Sequence, residues 1–227
     1  MSEKAFDALK QNPYFSELSE QVIADLSEVA RQRLFERDQV IYIEGEVAEN
    51  IFILEKGWVR AARMTREGRE QAMAFMRPGS IFGDIAVFIE EAYPASVTAL
   101  EAVAVWIIPA KNFLELVKRH PELALAVIRR LSKRVMYFIG LVEDLSLRSV
   151  EARLAHTLLR HAEARDGQLI VPRRPWTTFD EMAVRLGTVR DVLSRALKTL
   201  EGEGLLRVEK QVIVLLDADG LAKRGDL

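Results

Sequence analysis

The apolar residues of the chain change their spacing at Pro109, and this change limits the possible folds more than any other feature. Before Pro109 they form short runs bounded by polar or glycine-containing turns, at residues 40–43, 51–54, 58–61, 72–75, 96–99 and 103–108. Short strand-like runs at regular intervals are typical of an antiparallel sandwich or barrel. After Pro109 the apolar residues recur every three or four positions, which predicts helices. We therefore expect an α+β fold in which a strand-rich half precedes a helical half.

Residues 120–147 are predicted to form one long helix that begins at His120-Pro121. Its apolar residues are spaced alternately four and three apart: Ala124, Ile128, Leu131, Val135, Phe138, Val142 and Leu145. This heptad spacing is typical of a coiled coil between two chains. Such a helix would reach about 40 Å, which is longer than a small roll can cover. We expect a homodimer interface formed by Ile128, Leu131, Val135, Phe138, Val142 and Leu145; the alternative is a helix packed on its own domain.

Residues 182–205 have the pattern of a helix-turn-helix. Met182 and Leu186 stand four apart, small Ala183 allows a second helix to cross closely, and Gly187 interrupts the pattern. Glycine tolerates the positive φ that such a turn requires. Apolar residues then recur at helical spacing, at Val189, Val192, Leu193, Ala196, Leu197 and Leu200. The segment therefore predicts two short helices joined by a tight turn.

The second of these helices would present a polar face to solvent, formed by Arg190, Asp191, Ser194 and Arg195. Arginine can bond guanine O6 and N7 together, and a carboxylate can accept from cytosine N4, so this face suits the major groove of double-stranded DNA. The alternative is an ordinary surface helix with solvated charges. Two apolar runs, 205–208 and 212–216, follow the helix and are separated by polar residues, which predicts a two-stranded wing. The favoured interpretation is a winged helix-turn-helix.

Between the long helix and the helix-turn-helix, the charge pattern shifts near residues 146–150, where we place a hinge. A further amphipathic helix is expected to begin at Val150 and to end at Asp166-Gly167, followed by a basic loop at 171–175. The predicted domains are residues 1–119, a dimerisation helix at 120–147, and a DNA-binding domain at 148–227.

The charge distribution and the absence of cysteine restrict the functions that the chain can have. The net charge is −2, but residues from Arg148 onward hold 14 Lys and Arg against 12 Asp and Glu, whereas the preceding part holds 18 against 22. The sign of this asymmetry agrees with a C-terminal part that faces DNA. Cysteine is absent, which excludes disulfides, thiolate metal sites and cysteine-held iron–sulfur clusters. No phosphate-binding glycine loop or nucleophile–base arrangement is recognisable, so we expect no enzyme activity.

The N-terminal residues do not look like a signal peptide, and no apolar run approaches the roughly 18–20 residues that span a bilayer. We therefore expect a cytoplasmic protein with no membrane partner. The three histidines, His120, His156 and His161, lack the spacing of a metal site, so each is expected to be structural or on the surface and no metal is predicted.

The chain resembles the cyclic-AMP receptor protein and fumarate–nitrate reduction regulator (Crp/Fnr) family of bacterial transcription factors. The resemblance covers nearly the whole sequence and depends on I-Y-I-E-G-E, F-I-L-E-K-G-W-V, P-G-S-I-F-G-D-I-A-V-F, the long helix and L-G-T-V-R-D-V-L-S-R. It implies an N-terminal β-roll of the cyclic-nucleotide-binding type, a dimerising helix, a C-terminal winged helix that reads DNA, and RNA polymerase as a further partner.

The resemblance also implies roles for individual residues in DNA binding. Arg190, Asp191 and Arg195 fall where the family has its base-reading Arg, Glu and Arg, although Asp191 is one methylene shorter than Glu. Ser194 coincides with a serine that the fumarate–nitrate regulator branch uses beside the last arginine. The expected phosphate contacts, which position the protein without reading sequence, are Thr178, Thr188 and Lys210.

The sensory half departs from the cyclic-AMP branch of the family. The family's pocket corresponds here to Phe82, Gly83, Asp84, Ile85, Pro94, Ala95, Phe138 and Ile139. Asp84 replaces the family's glutamate, and Pro94-Ala95 replaces the Arg-Ser pair that holds the cyclic phosphate. A phosphate without a guanidinium loses its main charged partner. We therefore expect an effector other than cyclic AMP, or none.

Two further interpretations stay open. Histidine, tyrosine or methionine could hold haem in an apolar roll, which would make the protein a sensor of nitric oxide or carbon monoxide, although no cofactor is predicted. The protein could also be a ligand-binding module that acts through protein contacts. An exposed face with Arg190, Asp191 and Arg195 favours DNA instead.

Overall fold

The computed structural model describes residues 3–64, 70–165, 167–173 and 179–225. The chain divides into two compact units, Met1–Val135 and Met136–Leu227. No helix in the described ranges has the length and apolar composition needed to cross a membrane.

The first unit combines helices with a β-roll. Its elements in chain order are α1 (Glu3–Lys10), α2 (Glu20–Val29), β1 (Arg31–Phe35), β2 (Val40–Tyr42), β3 (Asn50–Lys56), β4 (Val59–Met64), β5 (Glu70–Met76), β6 (Ile81–Phe82), α3 (Asp84–Ile89), β7 (Ser96–Ala99), β8 (Val103–Pro109), α4 (Ala110–Arg119) and the start of α5 (Pro121–Leu147). The described strands pair antiparallel in two sheets, ordered β1-β8-β3-β6 and β2-β7-β4-β5. Side chains of both sheets share one apolar core, so the sheets face each other as the walls of a roll. This confirms the predicted α+β architecture.

Strands β3 and β8 are buried on both faces, which explains why their sequences read as continuous apolar runs. Successive side chains of a strand point to opposite faces. In β3, Phe52 and Leu54 belong to the core between the sheets, whereas Ile51 and Ile53 belong to a second core shared with the helices. The sheet β1-β8-β3-β6 therefore lies between the interior of the roll and a layer of helices.

The helical layer contains α1, α2, α4 and the first turns of α5. Polar contacts tie α2 to the start of α5: the Ser19 hydroxyl and backbone N–H donate to the Glu122 carboxylate, and His120 Nε2 lies 2.8 Å from Asp25 Oδ2. These contacts bring the segment before the long helix against the roll's helical face.

Helix α5 carries a short buried stripe and a longer, mostly exposed apolar stripe. Near its N-terminus, Leu123, Val127 and Arg130 are buried at spacings of four and three. The six residues of the predicted dimer interface, which we call the seam, lie on another side of the helix. Five of them are exposed: Ile128, Val135, Phe138, Val142 and Leu145. Leu131 is the sixth member and is partly buried against the first unit's core. Most of the seam therefore stays uncovered along the helix.

The second unit contains the remainder of α5 and a helical domain with a small sheet. Its further elements are α6 (Val150–Arg160), β9 (Glu163–Arg165), β10 (Gln168–Pro172), α7 (Phe179–Arg185), α8 (Arg190–Gly202), β11 (Leu206–Val208), β12 (Val212–Leu215) and α9 (Ala218–Gly225). The described strands form an antiparallel sheet ordered β11-β12-β10-β9. Its core is built from α6, α7, α8, the sheet and α9. The predicted wing is present as β11 and β12.

Several details differ from the sequence-based expectations. Helix α6 ends at Arg160, not at Asp166-Gly167, because the chain turns into the β9–β10 hairpin instead. Part of the expected basic loop at 171–175 belongs to β10. Val189 was assigned to the buried stripe of the second helix, but it precedes α8 in an extended conformation and is exposed.

Candidate functional site

The helix-turn-helix is formed by α7, a turn at residues 186–189 and α8. Gly187 has φ +60°, a backbone conformation that favours glycine, and an added Cβ there would lie 2.9 Å from Leu145 Cδ2, so the Leu145 side chain packs close to the turn. The turn is closed by the Thr188 N–H, which donates to the Ala183 carbonyl at 2.9 Å. Ala183 and Leu186 are buried, as the sequence predicts. The turn is therefore fixed by backbone geometry, a hydrogen bond and apolar contacts.

The two faces of α8 differ in burial and polarity. Its buried residues are Leu193, Ala196, Leu197 and Leu200. The predicted base-reading residues lie on the other side: Arg190, Asp191 and Arg195 are exposed, and Ser194 is half-buried. At about 100° per residue, these four positions occupy one arc of the helix opposite the apolar stripe. The structure thus places all four together on the polar face of α8.

Arg190 has a neighbouring carboxylate that the sequence did not single out. Its Nη1 lies 3.8 Å from Asp180 Oδ2 of α7, and both side chains are largely exposed. Ion pairs of this kind contribute little in water, about 0–1 kcal/mol. The Asp180 carboxylate therefore holds the Arg190 side chain only weakly.

Two of the three predicted phosphate contacts lie in loops of the described domain. Thr188 is half-buried in the turn before α8, and Lys210 is exposed at the tip of the wing between β11 and β12. The Val208 N–H donates to Glu201 Oε1 at 2.9 Å, which anchors the wing to α8. Thr178 lies outside the described residues.

In the roll, Asp84 is buried in an ion pair with Arg130 of α5. The side chains of Asp84 and Arg130 are 2% and 8% exposed. Burial lowers the pKa of Arg130 to about 10, so the guanidinium stays protonated at neutral pH. The same guanidinium also lies 5.6 Å from the centre of the Tyr14 ring. The carboxylate that corresponds to the family's pocket glutamate therefore already has a cationic partner from its own chain.

The other predicted pocket residues of the roll differ in burial. Gly83 has φ +80° and caps α3, and an added Cβ would lie 3.0 Å from the Asn50 carbonyl oxygen. Phe82 is buried and stacks on Phe52, with ring centres 5.2 Å apart. Ala95 is buried, whereas Ile85 and Pro94 are exposed.

Aromatic side chains occupy the interior of the roll beside Phe82. Tyr42 stacks on Tyr93 with a centre-to-centre distance of 3.9 Å. The Tyr93 hydroxyl donates to the Asn50 carbonyl at 2.7 Å, and burial raises the pKa of both tyrosines. These rings fill space between the two sheets with a neutral, largely apolar cluster.

Phe138 and Ile139, the predicted pocket residues on α5, are exposed on that helix. Phe138 is also a member of the seam, and its ring centre lies 5.7 Å from that of Tyr137. Both side chains are apolar, so at these two positions α5 offers surface for packing.

Two of the three histidines have polar partners within the protein. His120 pairs with Asp25, and His161 Nδ1 lies 2.9 Å from the Thr157 carbonyl oxygen. His156 is exposed on α6. Across the ranges that the structure describes, no three His, Asp or Glu side chains gather closely enough to hold a metal ion.

Comparison with known proteins agrees with this geometry. Residues 32–120 match the cyclic nucleotide-binding domain family, and residues 152–224 match the Crp-like helix-turn-helix domain family. A CRP-like cAMP-activated global transcriptional regulator of Mycobacterium tuberculosis is 25% identical over 215 residues, which cover 93% of this chain and 95% of the relative. A global nitrogen regulator of a Nostoc species is 28% identical over 191 residues, with coverages of 80% and 83%.

A solved structure shows the same fold. A CRP/FNR-family transcriptional regulator from Thermus thermophilus superposes with a TM-score of 0.65 at 24% identity, covering 87% of this chain and 99% of that one. The roll, long helix and winged helix-turn-helix define a transcription regulator with a DNA-binding domain. The chain belongs to the Crp/Fnr family of bacterial transcription regulators. The relatives named here are regulators, not enzymes.

Sequence reasoning missed Arg130, although a signal was present. Arg130 follows Leu123 and Val127 at spacings of four and three, so it continues the buried stripe of α5. A charged residue in such a stripe indicates a buried partner, because an unpaired buried charge is costly. Arginine is mostly exposed in proteins and Arg130 lies outside the heptad spacing of the long helix, so it was not singled out.

The Asp84–Arg130 pair makes a prediction about stability. We expect Arg130→Met to lower the free energy of unfolding by about 3–5 kcal/mol, because it leaves the Asp84 carboxylate buried without a cation. The double variant Asp84→Ala/Arg130→Met should lose clearly less than the sum of its single variants. Urea denaturation gives these values. The control is Arg129→Met, which removes an exposed pair with Glu17 and should change stability by less than about 1 kcal/mol. Additive single-variant losses would contradict a buried pair.

Proposed function

We propose that the protein is a homodimer that binds an inverted repeat in double-stranded DNA, with one α8 in each half-site. The observation that carries this proposal is the exposed polar face of α8, opposite its buried apolar stripe, within a winged helix-turn-helix. Residues 148–227 bind DNA, residues 120–147 dimerise, and residues 1–119 form the sensory domain. RNA polymerase is the partner through which the bound dimer changes transcription.

Base reading is assigned to four residues of α8. Arg190 and Arg195 bond guanines, and Asp191 accepts from a cytosine on the partner strand, while Ser194 supports Arg195. Thr188 at the turn and Lys210 at the wing tip contact phosphates and set the position of the helix in the groove, together with Thr178. The turn, helix and wing then touch the duplex at three separate points.

The dimer is held by the seam of α5. Ile128, Val135, Phe138, Val142 and Leu145 expose large apolar side chains along one helix, and Leu131 completes the heptad pattern. Apolar surface buried against a second copy contributes about 25 cal/mol per Å². Parallel pairing of two α5 helices about a two-fold axis relates the two copies of α8 by the same axis, so this pairing also sets the symmetry of the DNA site.

The effector is not cyclic AMP. Asp84 is occupied by Arg130, and Pro94 and Ala95 offer no charge to a cyclic phosphate. The Mycobacterium tuberculosis relative is described as cAMP-activated, so this chain and that relative would differ in ligand. The protein either responds to another small molecule or is competent to bind DNA without one.

No haem is proposed. His120 and His161 have their own polar partners, and the stacked rings of Tyr42 and Tyr93 lie within the roll. Control by nitric oxide or carbon monoxide through haem is therefore the less favoured function.

Base reading is tested by selection from randomised DNA. The wild-type protein should select an inverted repeat whose half-site centres lie about one helical turn apart, roughly 34–36 Å. Arg195→Ala should lose about 1–3 kcal/mol per half-site and relax the preference at one base pair, because a bidentate guanine contact is lost. Lys210→Ala should weaken all sequences similarly and flatten the salt dependence, as expected for a phosphate contact. If wild type and Arg195→Ala select the same motif with equal information at each position, Arg195 does not read bases.

The dimer is tested by placing a charge in the seam. Phe138→Glu should give a monomer or a much weaker dimer in sedimentation equilibrium, because two carboxylates would face each other in an apolar interface. Met136→Glu is the matched control, since Met136 is also exposed on α5 but is not one of the seam residues. A tight dimer in both variants would place the interface elsewhere.

The proposal that cyclic AMP is not the effector is tested by titration calorimetry with cyclic AMP. We expect no binding at micromolar concentrations, because the pocket lacks a cation for the phosphate. The Mycobacterium tuberculosis relative serves as the positive control for the assay. Micromolar binding that Asp84→Ala abolishes would overturn this part of the proposal.

A further inference from the structure

The second unit contains a buried arginine that no part of the proposed DNA surface uses. Arg153 lies in the first turn of α6 and is 7% exposed. Its Nε donates to the Leu186 carbonyl oxygen at 3.0 Å, and its Nη1 donates to the Arg148 carbonyl oxygen at 2.8 Å. A buried guanidinium is tolerated when it is hydrogen-bonded, and here both acceptors are backbone carbonyls.

Each of these carbonyls stands at the C-terminal end of a helix. Arg148 directly follows α5, and its N–H donates to the Asp144 carbonyl at 3.0 Å. Leu186 directly follows α7, and its N–H donates to the Met182 carbonyl at 3.1 Å. Helix C-termini leave carbonyls without helical partners and carry partial negative charge. One guanidinium therefore caps α5 and α7 together.

The connections that join α5 to α6 and α7 to α8 are short. Only Arg148 and Ser149 separate α5 from α6, and the Ser149 hydroxyl accepts from the Ala152 N–H at 3.1 Å. On the other side, Leu186 is four residues before Arg190, the first residue of α8. Leu145 of α5 contacts the same turn, close to Gly187. The last turn of α5 is thus connected to the turn that precedes α8 by one side chain and one apolar contact.

We propose that Arg153 is a positioning residue for DNA recognition: it fixes the helix-turn-helix turn, and with it α8, relative to the end of the dimerisation helix α5. This inference builds on the proposed function, because an inverted repeat is read only when two copies of α8 are held at a set spacing. Recognition geometry of this kind must be kept within about 0.5 Å. Arg153 touches no DNA itself and acts through the carbonyls of Arg148 and Leu186.

The substitution Arg153→Lys separates positioning from folding. Lysine keeps the positive charge but has a single nitrogen, so it cannot reproduce hydrogen bonds made by two different nitrogens of one guanidinium. Arg160→Lys is the matched control, because Arg160 is on the same helix and is exposed. Thermal unfolding of both variants shows whether the domain still folds cooperatively.

The DNA measurement uses three duplexes: the inverted repeat selected by the wild-type protein, the same repeat with one extra base pair between its half-sites, and a duplex of random sequence. We expect Arg153→Lys to bind the selected repeat about tenfold more weakly, the effect of losing one hydrogen bond to a charged group. Its affinity for random DNA should be unchanged, because the phosphate contacts remain. The preference for the original spacing should shrink relative to wild type, because α8 is less firmly held.

Two outcomes would overturn the role of Arg153. Equal losses on the selected and random duplexes would mean that the residue only supports folding. An unchanged spacing preference and affinity would mean that the two hydrogen bonds do not set the position of α8. Arg160→Lys should match wild type on all three duplexes.

A failure of the proposed function has a different signature, since wild type would then select no inverted repeat. In that case, amide hydrogen exchange decides the role of Arg153 without DNA. Arg153→Lys should speed exchange of the Thr188 N–H in the turn while leaving the Val214 N–H of the core strand β12 unchanged. Equal protection of Thr188 in wild type and Arg153→Lys would overturn the inference.

Discussion

The apolar seam of α5 is the feature on which the rest of the structure depends. One helix of 27 residues carries a stripe that its own chain buries, at Leu123 and Val127, and another that stays largely exposed, at Val135, Phe138 and Val142. Exposed large apolar side chains at heptad spacing need a partner with the same spacing. In the proposed homodimer, a second copy of α5 would satisfy this need. The two-fold symmetry of the proposed DNA site follows from this pairing.

Two buried arginines connect α5 to the elements at its sides. Arg130 binds the Asp84 carboxylate of the roll's helix α3, and Arg153 caps the C-terminal ends of α5 and α7. Each places a charge where burial is costly unless every donor has an acceptor. Such contacts are directional, whereas apolar contacts tolerate sliding. Each arginine therefore fixes, by polar contacts, the elements that it touches within its own unit, while most of the seam remains exposed.

Much of this architecture was readable from the sequence, for physical reasons that differ between elements. The runs at 51–54 and 103–108 predicted β3 and β8 because strands buried on both faces have apolar side chains at successive positions. Gly187 predicted the turn because few other residues accept its positive φ. Strand β1 was missed because only Phe35 among its five residues is buried, so its sequence carries almost no apolar signal. Strand β9 was missed for the same reason, since all three of its residues are exposed.

The candidate site was predicted less completely than the fold. Arg190, Asp191, Ser194 and Arg195 lie on one face of α8 because helical periodicity alone determines which side of the helix they occupy. Val189 was misplaced because the helix begins one residue later than the apolar pattern suggests. The spacing of α5 places Arg130 in its buried stripe but does not identify the partner, which is a carboxylate distant in the sequence. Arg153 binds two backbone carbonyls, and such contacts leave no local pattern in a sequence.

Hydroxyl-radical footprinting on the duplex selected by the wild-type protein tests most directly whether paired α5 helices present two copies of α8 to one DNA site. The dimer should protect two segments on the same side of the duplex, related by two-fold symmetry and centred about 10–10.5 base pairs apart. A single protected segment, or two segments without that spacing and symmetry, would contradict recognition by a dimer joined through the seam of α5.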